Sequence, residues 1–213
     1  MQDLNTRIDS EFKVKVLRGK CTAVAASLRG DEGVWRELDP TTLDGSLVSD
    51  SLSGARSLGV QRVFWNEKEH ELVAVVWFGG AMSGWPGVTH GGGIATVVAD
   101  KMVLAARLAK GIAPAQDASV GPTEPTRLDL IYKKPTYANA FYVVRAVPRY
   151  GAFETASAND IGVDAQLETL DGTVCVQVKG VVPVSEGESA ITSSIKSLTP
   201  AKSWLGWTSR SDI

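Results

Sequence analysis

With 213 residues, 44% hydrophobic and 22% charged, the chain has the composition of an ordinary globular protein and room for one large domain with appendages. Lys and Arg total 22 against 24 Asp and Glu, a net charge of -2, and no basic run stands out. That balance argues against a nucleic-acid partner, whose phosphates need neutralising. No apolar run approaches the ~18–20 residues of a membrane span. Two cysteines, Cys21 and Cys175, make no disulfide framework, and two histidines, His70 and His90, leave little for a metal site. The N-terminus, MQDLNTRIDSEF, reads as too polar for a signal peptide and too acidic for a typical transit peptide. The expectation is a soluble, cytoplasmic protein with no metal or other cofactor.

Residues 1–58 read as a mixed N-terminal arm. Phe12, Val14, Val16 and Leu17 form one short apolar patch in it, and Val34, Trp35 and Leu38 form another. The Ser/Gly/Asp-rich stretch LDGSLVSDSLSG reads as a loop. The body, 59–184, opens with two strand-like runs, GVQRVFW and ELVAVVWF, separated by the polar turn NEKEH. Next, GGGIATVVADKMVLAARLAKG breaks the β pattern. Its portion Ile94–Ala99 is apolar on every side, which predicts a helix buried all round, stopped at Lys110-Gly111.

Four more strands follow. TRLDLIYK alternates, with Leu128, Leu130 and Tyr132 on one face and Arg127, Asp129 and Ile131 on the other. AFYVVRAVPR comes next, then IGVDAQLETL and TVCVQVKGVVPV, joined by the hairpin signal Asp171-Gly172. Six strands around one long helix predict an α+β fold, an antiparallel sheet wrapped on that helix. The tail, 185–213, is Ser/Thr/Lys-rich, and its Trp204 and Trp207 are expected to dock on something apolar.

Chemistry concentrates in GWPGVTHGGGIAT, 84–96. Pro86-Gly87 predicts a tight turn, and His90-Gly91-Gly92 opens the helix. Glycines there let a ligand approach the backbone, and the first helical N–H groups lack intrahelical partners, so they can receive a carbonyl oxygen or an anion. The plainer reading makes His90 a helix cap only. Trp85, just ahead of this segment, is positioned to line a pocket, while Phe64, Trp65, Trp77 and Phe78 read as core. His70 falls in a hairpin turn and reads as solvated, Arg127 and Asp129 share a strand face and pair, and Cys175 reads as a buried thiol. Asp100 needs a partner in so apolar a helix, with Lys101, Arg107 or a second subunit able to supply one. It is either half of a structural salt bridge or an acid of the site.

The order of a strand hairpin, PG-x-x-HGG-x-x-AT, a helix and then LxxxYKKP resembles the hotdog-fold thioesterase superfamily, of the fungal and animal acyl-CoA thioesterase type. The resemblance covers about 59–184. It implies a sheet wrapped round a central helix, two subunits paired through their sheets, and a thioester at their boundary whose carbonyl the HGG backbone polarises. It makes His90, Gly91, Gly92 and Asp100 the catalytic candidates. Trp85, Val88, Gly93, Thr96, Val97, Thr126 and Tyr132 become the substrate-binding ones.

Two positions depart from the family pattern. The catalytic carboxylate nine residues after the motif His is replaced by Ala99, and Asp100 lies one residue further, ~100° round the helix. The Thr expected seven residues before Tyr132 is replaced by Pro125, with Thr126 one residue off, which in a strand is the other face. The leading expectation is therefore a repurposed hotdog homodimer. It performs a non-hydrolytic step (cyclisation, cycloaddition, isomerisation or dehydration) on an apolar small molecule of specialised metabolism. The alternatives are an acyl-CoA thioesterase using Asp100, for which Lys133-Lys134 could receive phosphates, and a non-catalytic acyl- or polyketide-binding protein.

Overall fold

Strand propensity in this chain is strongest where apolar runs have no polar interruption, and those runs form the centre of one sheet. The computed structural model describes residues 1–22, 35–39, 48, 52, 54–112, 124–149 and 160–184. In chain order these hold α1 (Gln2–Ser10), α2 (Phe12–Lys20), β1 (Trp35–Leu38), β2 (Gln61–Asn66), β3 (Glu71–Phe78), β4 (Ser83–Trp85), β5 (Val88–Thr89), α3 (Gly91–Ala109), β6 (Arg127–Tyr132), β7 (Ala140–Arg149), β8 (Asp160–Thr169) and β9 (Val174–Pro183). Seven strands pair antiparallel in the order β1-β2-β3-β7-β8-β9-β6. β4 and β5 form a separate small hairpin.

α3 lies against β3, β7, β8 and β9. This is the α+β hotdog arrangement the sequence predicts: an antiparallel sheet wrapped round one long helix. Because strand side chains alternate, Ala74, Val76, Phe78, Val144, Val163 and Leu167 share the core with the buried residues of α3. The helix is not buried all round, as its apolar run predicts. Ile94, Val97, Val98, Met102, Leu104, Ala105 and Leu108 are buried, but Gly92 and Thr96 are exposed and Ala95 and Ala99 half-buried. The sheet encloses one side of the cylinder only, so small residues fill the other.

The arm supplies what the sequence reading left unassigned. Trp35–Leu38 adds a seventh strand at the sheet edge, and α1 and α2 form a helical hairpin on the opposite sheet face. Leu4, Ile8, Val14 and Leu17 pack there against Phe64, Val73, Val75, Trp77, Phe141 and Val143. Each such burial stabilises by ~1.5–3 kcal/mol. The predicted loop 43–54 is described only at Val48, Leu52 and Gly54, while Val34, the tail 185–213 and its tryptophans lie outside the described residues. Gly172, at φ +91°, makes the Asp171-Gly172 turn that the sequence predicts. Arg127 and Asp129 pair at 2.8 Å, as expected. His70, instead of standing in solvent, stacks on Trp65 with ring centroids 5.9 Å apart.

Charge fastens the helical hairpin. Arg62 donates from Nε and Nη2 to the two oxygens of Asp9, at 2.9 and 3.0 Å, and reaches Asn5 Oδ1 at 3.2 Å. Arg18 bonds Glu37 through Nε and Nη2 at 2.7 and 2.8 Å and Asp9 through Nη1 at 2.9 Å. The hydrogen bond from Arg62 holds the Asp9 carboxyl below the usual carboxylate range, against partial burial that pushes it up. A carboxyl depressed in the folded state stabilises it at neutral pH, and the gain is lost as pH falls through the folded value. Acidification below the usual carboxylate range should therefore loosen α1 and α2 before the sheet unfolds. Arg62→Ala should do the same at neutral pH, costing about 1 kcal/mol at this exposure. Faster tryptic cleavage within 1–22, with amide exchange in β3 and β7 unchanged, is the expected readout.

Candidate functional site

The start of α3 is fixed by a short hairpin. Pro86-Gly87 turns between β4 and β5 with Gly87 at φ +75°, a conformation costly for other L residues. The hairpin is tied to the segment after β6, where the Thr89 N–H donates to the Thr136 carbonyl (2.8 Å) and the Ala138 N–H to the Gly87 carbonyl (2.9 Å). The His90 N–H donates to the Met82 carbonyl at 2.7 Å. His90 is the N-cap of α3, and its Nδ1 accepts from the Gly92 N–H at 3.0 Å. A neutral imidazole accepting at Nδ1 carries its proton at Nε2. The exposed edge of His90 is thus a hydrogen-bond donor. Gly84 and Gly92 leave room for the ring, since a Cβ on either would stand 2.8 and 3.0 Å from its carbons.

Tyr132, at the end of β6, reaches this helix start and donates its hydroxyl to the Gly91 carbonyl at 2.8 Å. Partial burial raises the Tyr132 phenol above its ordinary value, so it stays a donor. The fit beneath it is tight, because a Cβ on Gly91 would lie 3.1 Å from the hydroxyl and the tyrosine would have to shift by a few tenths of an ångström. Trp85, 78% exposed, pairs with Val88 across the small hairpin, and Val88 bridges to Tyr137. Gly93 abuts Met82. His90, Gly91, Gly92, Gly93, Trp85, Val88 and Tyr132 are accordingly brought together at one end of α3.

Two neighbours escaped the sequence reading. Tyr137, 59% exposed, lies just past the YKKP run, and the motif itself had drawn attention away from it. Thr89 sits directly before His90 with its hydroxyl buried and unbonded among the described residues.

The remaining candidates stand elsewhere. Thr96, one turn along the exposed stripe from Gly92, donates to the Gly92 carbonyl at 2.9 Å, and Ala99 continues that stripe. Val97 is fully buried in the core and shows no surface at the helix start. Thr126 precedes β6 and bonds the Val181 carbonyl through its amide (2.9 Å) and hydroxyl (3.3 Å). Six strand residues separate it from Tyr132, a distance of roughly 20 Å. Asp100 lies nine residues beyond Gly91, about 14 Å along the axis. Its Oδ2 accepts from Lys101 Nζ at 2.7 Å, with the two side chains 16% and 1% exposed. Of the partners weighed for Asp100, Lys101 is the one engaged, while Arg107 Nε is buried and unbonded among the described residues.

A concavity of about 460 Å³ lies at the opposite end of α3, between Trp65, His70, Arg36 and Leu108. It shares no residue with the cluster around His90. Cys175 is buried, and desolvation raises its thiol above the ordinary value, so it is an inert thiol as expected.

No family model matches the chain. A protein of Saccharomyces cerevisiae named uncharacterized mitochondrial membrane protein FMP10 is 36% identical over 108 residues, which is 49% of this chain and 42% of that protein. The chain thus matches less than half the length of that relative. Similar solved structures include a hypothetical thioesterase of Streptococcus pneumoniae with coenzyme A, at TM-score 0.47 and 10% identity over 61% of this chain and 88% of that one. The PaaI protein of the Escherichia coli phenylacetic acid degradation operon gives 0.44 and 11%, over 64% and 86%. A thioesterase superfamily protein of Shewanella loihica gives 0.42 and 17%, over 64% and 98%. The fold assignment itself rests on the sheet order and the enclosed helix. The cytoplasmic placement read from the polar N-terminus is corrected by the yeast relative, which is named as a mitochondrial membrane protein. Among the described residues no helix is long and apolar enough to cross a membrane.

The Lys101–Asp100 pair yields a test of what Asp100 does. Removing one partner of a buried pair strands the other charge, whereas neutralising both does not. Asp100→Asn should cost about 3 kcal/mol, and Lys101→Met should cost less, because the carboxylate it strands is 16% exposed where the ammonium is 1% exposed. Adding Asp100→Asn to Lys101→Met should then cost little, a non-additivity that urea denaturation of the double-mutant cycle reads directly. An equal cost of Asp100→Asn in both backgrounds would separate Asp100 from Lys101.

Proposed function

We propose that the start of α3 binds the carbonyl of a largely apolar small molecule, and that the protein acts on it by a non-hydrolytic step. The observation carrying this reading is the capping geometry of His90. With Nδ1 occupied by the Gly92 amide, the imidazole offers Nε2–H outward. The Gly91 and Gly93 amides make no hydrogen bond to the described residues, so they stand beside it as further donors. Donors fixed in advance at one point polarise a carbonyl and stabilise negative charge as it develops there. They accelerate a reaction only where the bond strengthens in the transition state.

Hydrolysis needs a base for water as well, and the supporting features leave that role unfilled. Ala99, on the exposed stripe, carries no functional group, and Asp100 is engaged by Lys101. Cyclisation, cycloaddition, isomerisation or dehydration would instead draw on a held reactive conformer plus a polarised carbonyl. The apolar wall of the site comes from Trp85, Val88 and Tyr137. A second copy would complete it across the β6 edge, where Ile131 and Tyr132 are 61% and 52% exposed. Edge strands with apolar exposure need cover, so a homodimer is part of this proposal.

Three measurements test it. A panel of fatty acyl-CoA thioesters should show negligible hydrolysis by the wild-type protein, and vigorous turnover would replace this reading with the thioesterase one. For the donor role, His90→Ala should lose the cap and about 1 kcal/mol of stability, whereas His90→Asn keeps a capping side chain. Both should weaken binding of a fluorescent fatty-acyl probe about tenfold. Full binding by His90→Asn would reduce His90 to a cap. Light scattering should give a dimer mass, and Ile131→Lys should shift it to the monomer.

A further inference from the structure

α2 carries an apolar pair on the wrong side for folding. Val14 and Leu17 face the sheet and are buried, as packing requires. Phe12 and Val16, one turn apart on the outer face, are 79% and 40% exposed. Among the described residues neither belongs to the apolar cluster between the helices and the sheet, and leaving Phe12 in water gives up the gain of burying an aromatic ring.

The charges within that helix are of one sign. Phe12–Lys20 holds Lys13, Lys15, Arg18 and Lys20 and no acid. Arg18 is used by Asp9 and Glu37, and Lys20 Nζ sits 5.1 Å over the Trp35 ring. Lys15 lies exposed between Phe12 and Val16 on the outer face, and Lys13 flanks it. Glu11, half-buried at the junction of the two helices, is the nearest acid not paired to an arginine.

Shape selects the partner. Among the described residues the pair stands on the outer face of a convex helix, so a folded protein or peptide would have to bring its own pocket. A bilayer interface accepts protruding apolar side chains anywhere on its plane, and anionic headgroups complement lysines beside them. We infer that α2 docks the protein peripherally on a bilayer carrying anionic phospholipids, with Phe12 and Val16 entering the interface and Lys13 and Lys15 on the headgroups. Two apolar side chains on a nine-residue helix give reversible attachment only. The helix remains folded on the sheet throughout, because its buried face is not the one that docks.

Sedimentation of the full chain with vesicles tests this. Binding to phosphatidylcholine vesicles containing phosphatidylglycerol should exceed binding to pure phosphatidylcholine and fall with added salt. Phe12→Ser and the pair Lys13→Glu/Lys15→Glu should each lower binding about tenfold. Phe12 and Lys15 are exposed and Lys13 is half-buried at the helix flank, so circular dichroism and denaturation midpoint should stay near wild-type values, and a variant that unfolds is replaced by Val16→Ser. Four results would overturn the inference: no binding to the anionic vesicles, equal binding to neutral ones, variants that bind like the wild type, or binding to polyglutamate in place of vesicles.

Discussion

α3 has to bury one side against the sheet while its first turn stays reachable, and the placement of every polar group near it follows from that division. The core-facing side runs through Ile94, Val97, Lys101, Leu104 and Leu108, spaced three and four residues apart. A lysine in the middle of that stripe cannot leave its ammonium among valines. Its long stem lies in the core and its head turns back to the adjacent carboxylate, as amphipathic side chains do. The position that could have supplied an acid to the exposed side is thereby drawn into structure.

The sheet is loaded unequally on its two faces, and the strands record it. β3 and β7 are sandwiched between α3 on one side and α1 and α2 on the other, so Glu71–Phe78 is apolar at almost every position. β8 has only α3 to bury against. Ile161, Val163, Ala165 and Leu167 face inward, and Asp164, Gln166 and Glu168 alternate with them. Arg145, between Glu71 and Glu168 at 2.6 and 3.4 Å, marks the border where the helical hairpin's cover stops.

The same loading explains which elements the sequence disclosed. The six long strands and the central helix were legible because each presents a sustained period or an unbroken apolar run. β1 was not, since four residues are too few for a period and Trp35–Leu38 sits amid loop-like sequence. α2 was legible only as an apolar patch of the arm. Phe12, Val14 and Val16 alternate as in a strand, whereas Val14 and Leu17, at helical spacing, meet the sheet. Tertiary packing overrides so short a local pattern. At the site, His90 and its glycines were visible as a motif, whereas Tyr137 and Thr89 gain their meaning only from the pairing of β5 with the segment after β6.

The imidazole of His90 has one lone pair to offer when neutral, and the cap consumes it. To act as a base, the ring would have to release the Gly92 amide and leave that N–H unpaired at the helix start. Capping and proton removal therefore compete for the same nitrogen, while capping and hydrogen-bond donation use opposite edges of the ring. Tyr132 adds no free donor, since its one hydroxyl proton is committed to the Gly91 carbonyl. The donors left at the helix start are the outer edge of the His90 imidazole and the first helical amides. A site of that kind can hold and polarise a carbonyl, but the described residues at the helix start supply no free carboxylate to remove a proton. This is the physical ground on which the proposed chemistry is one of held conformation and not of activated water.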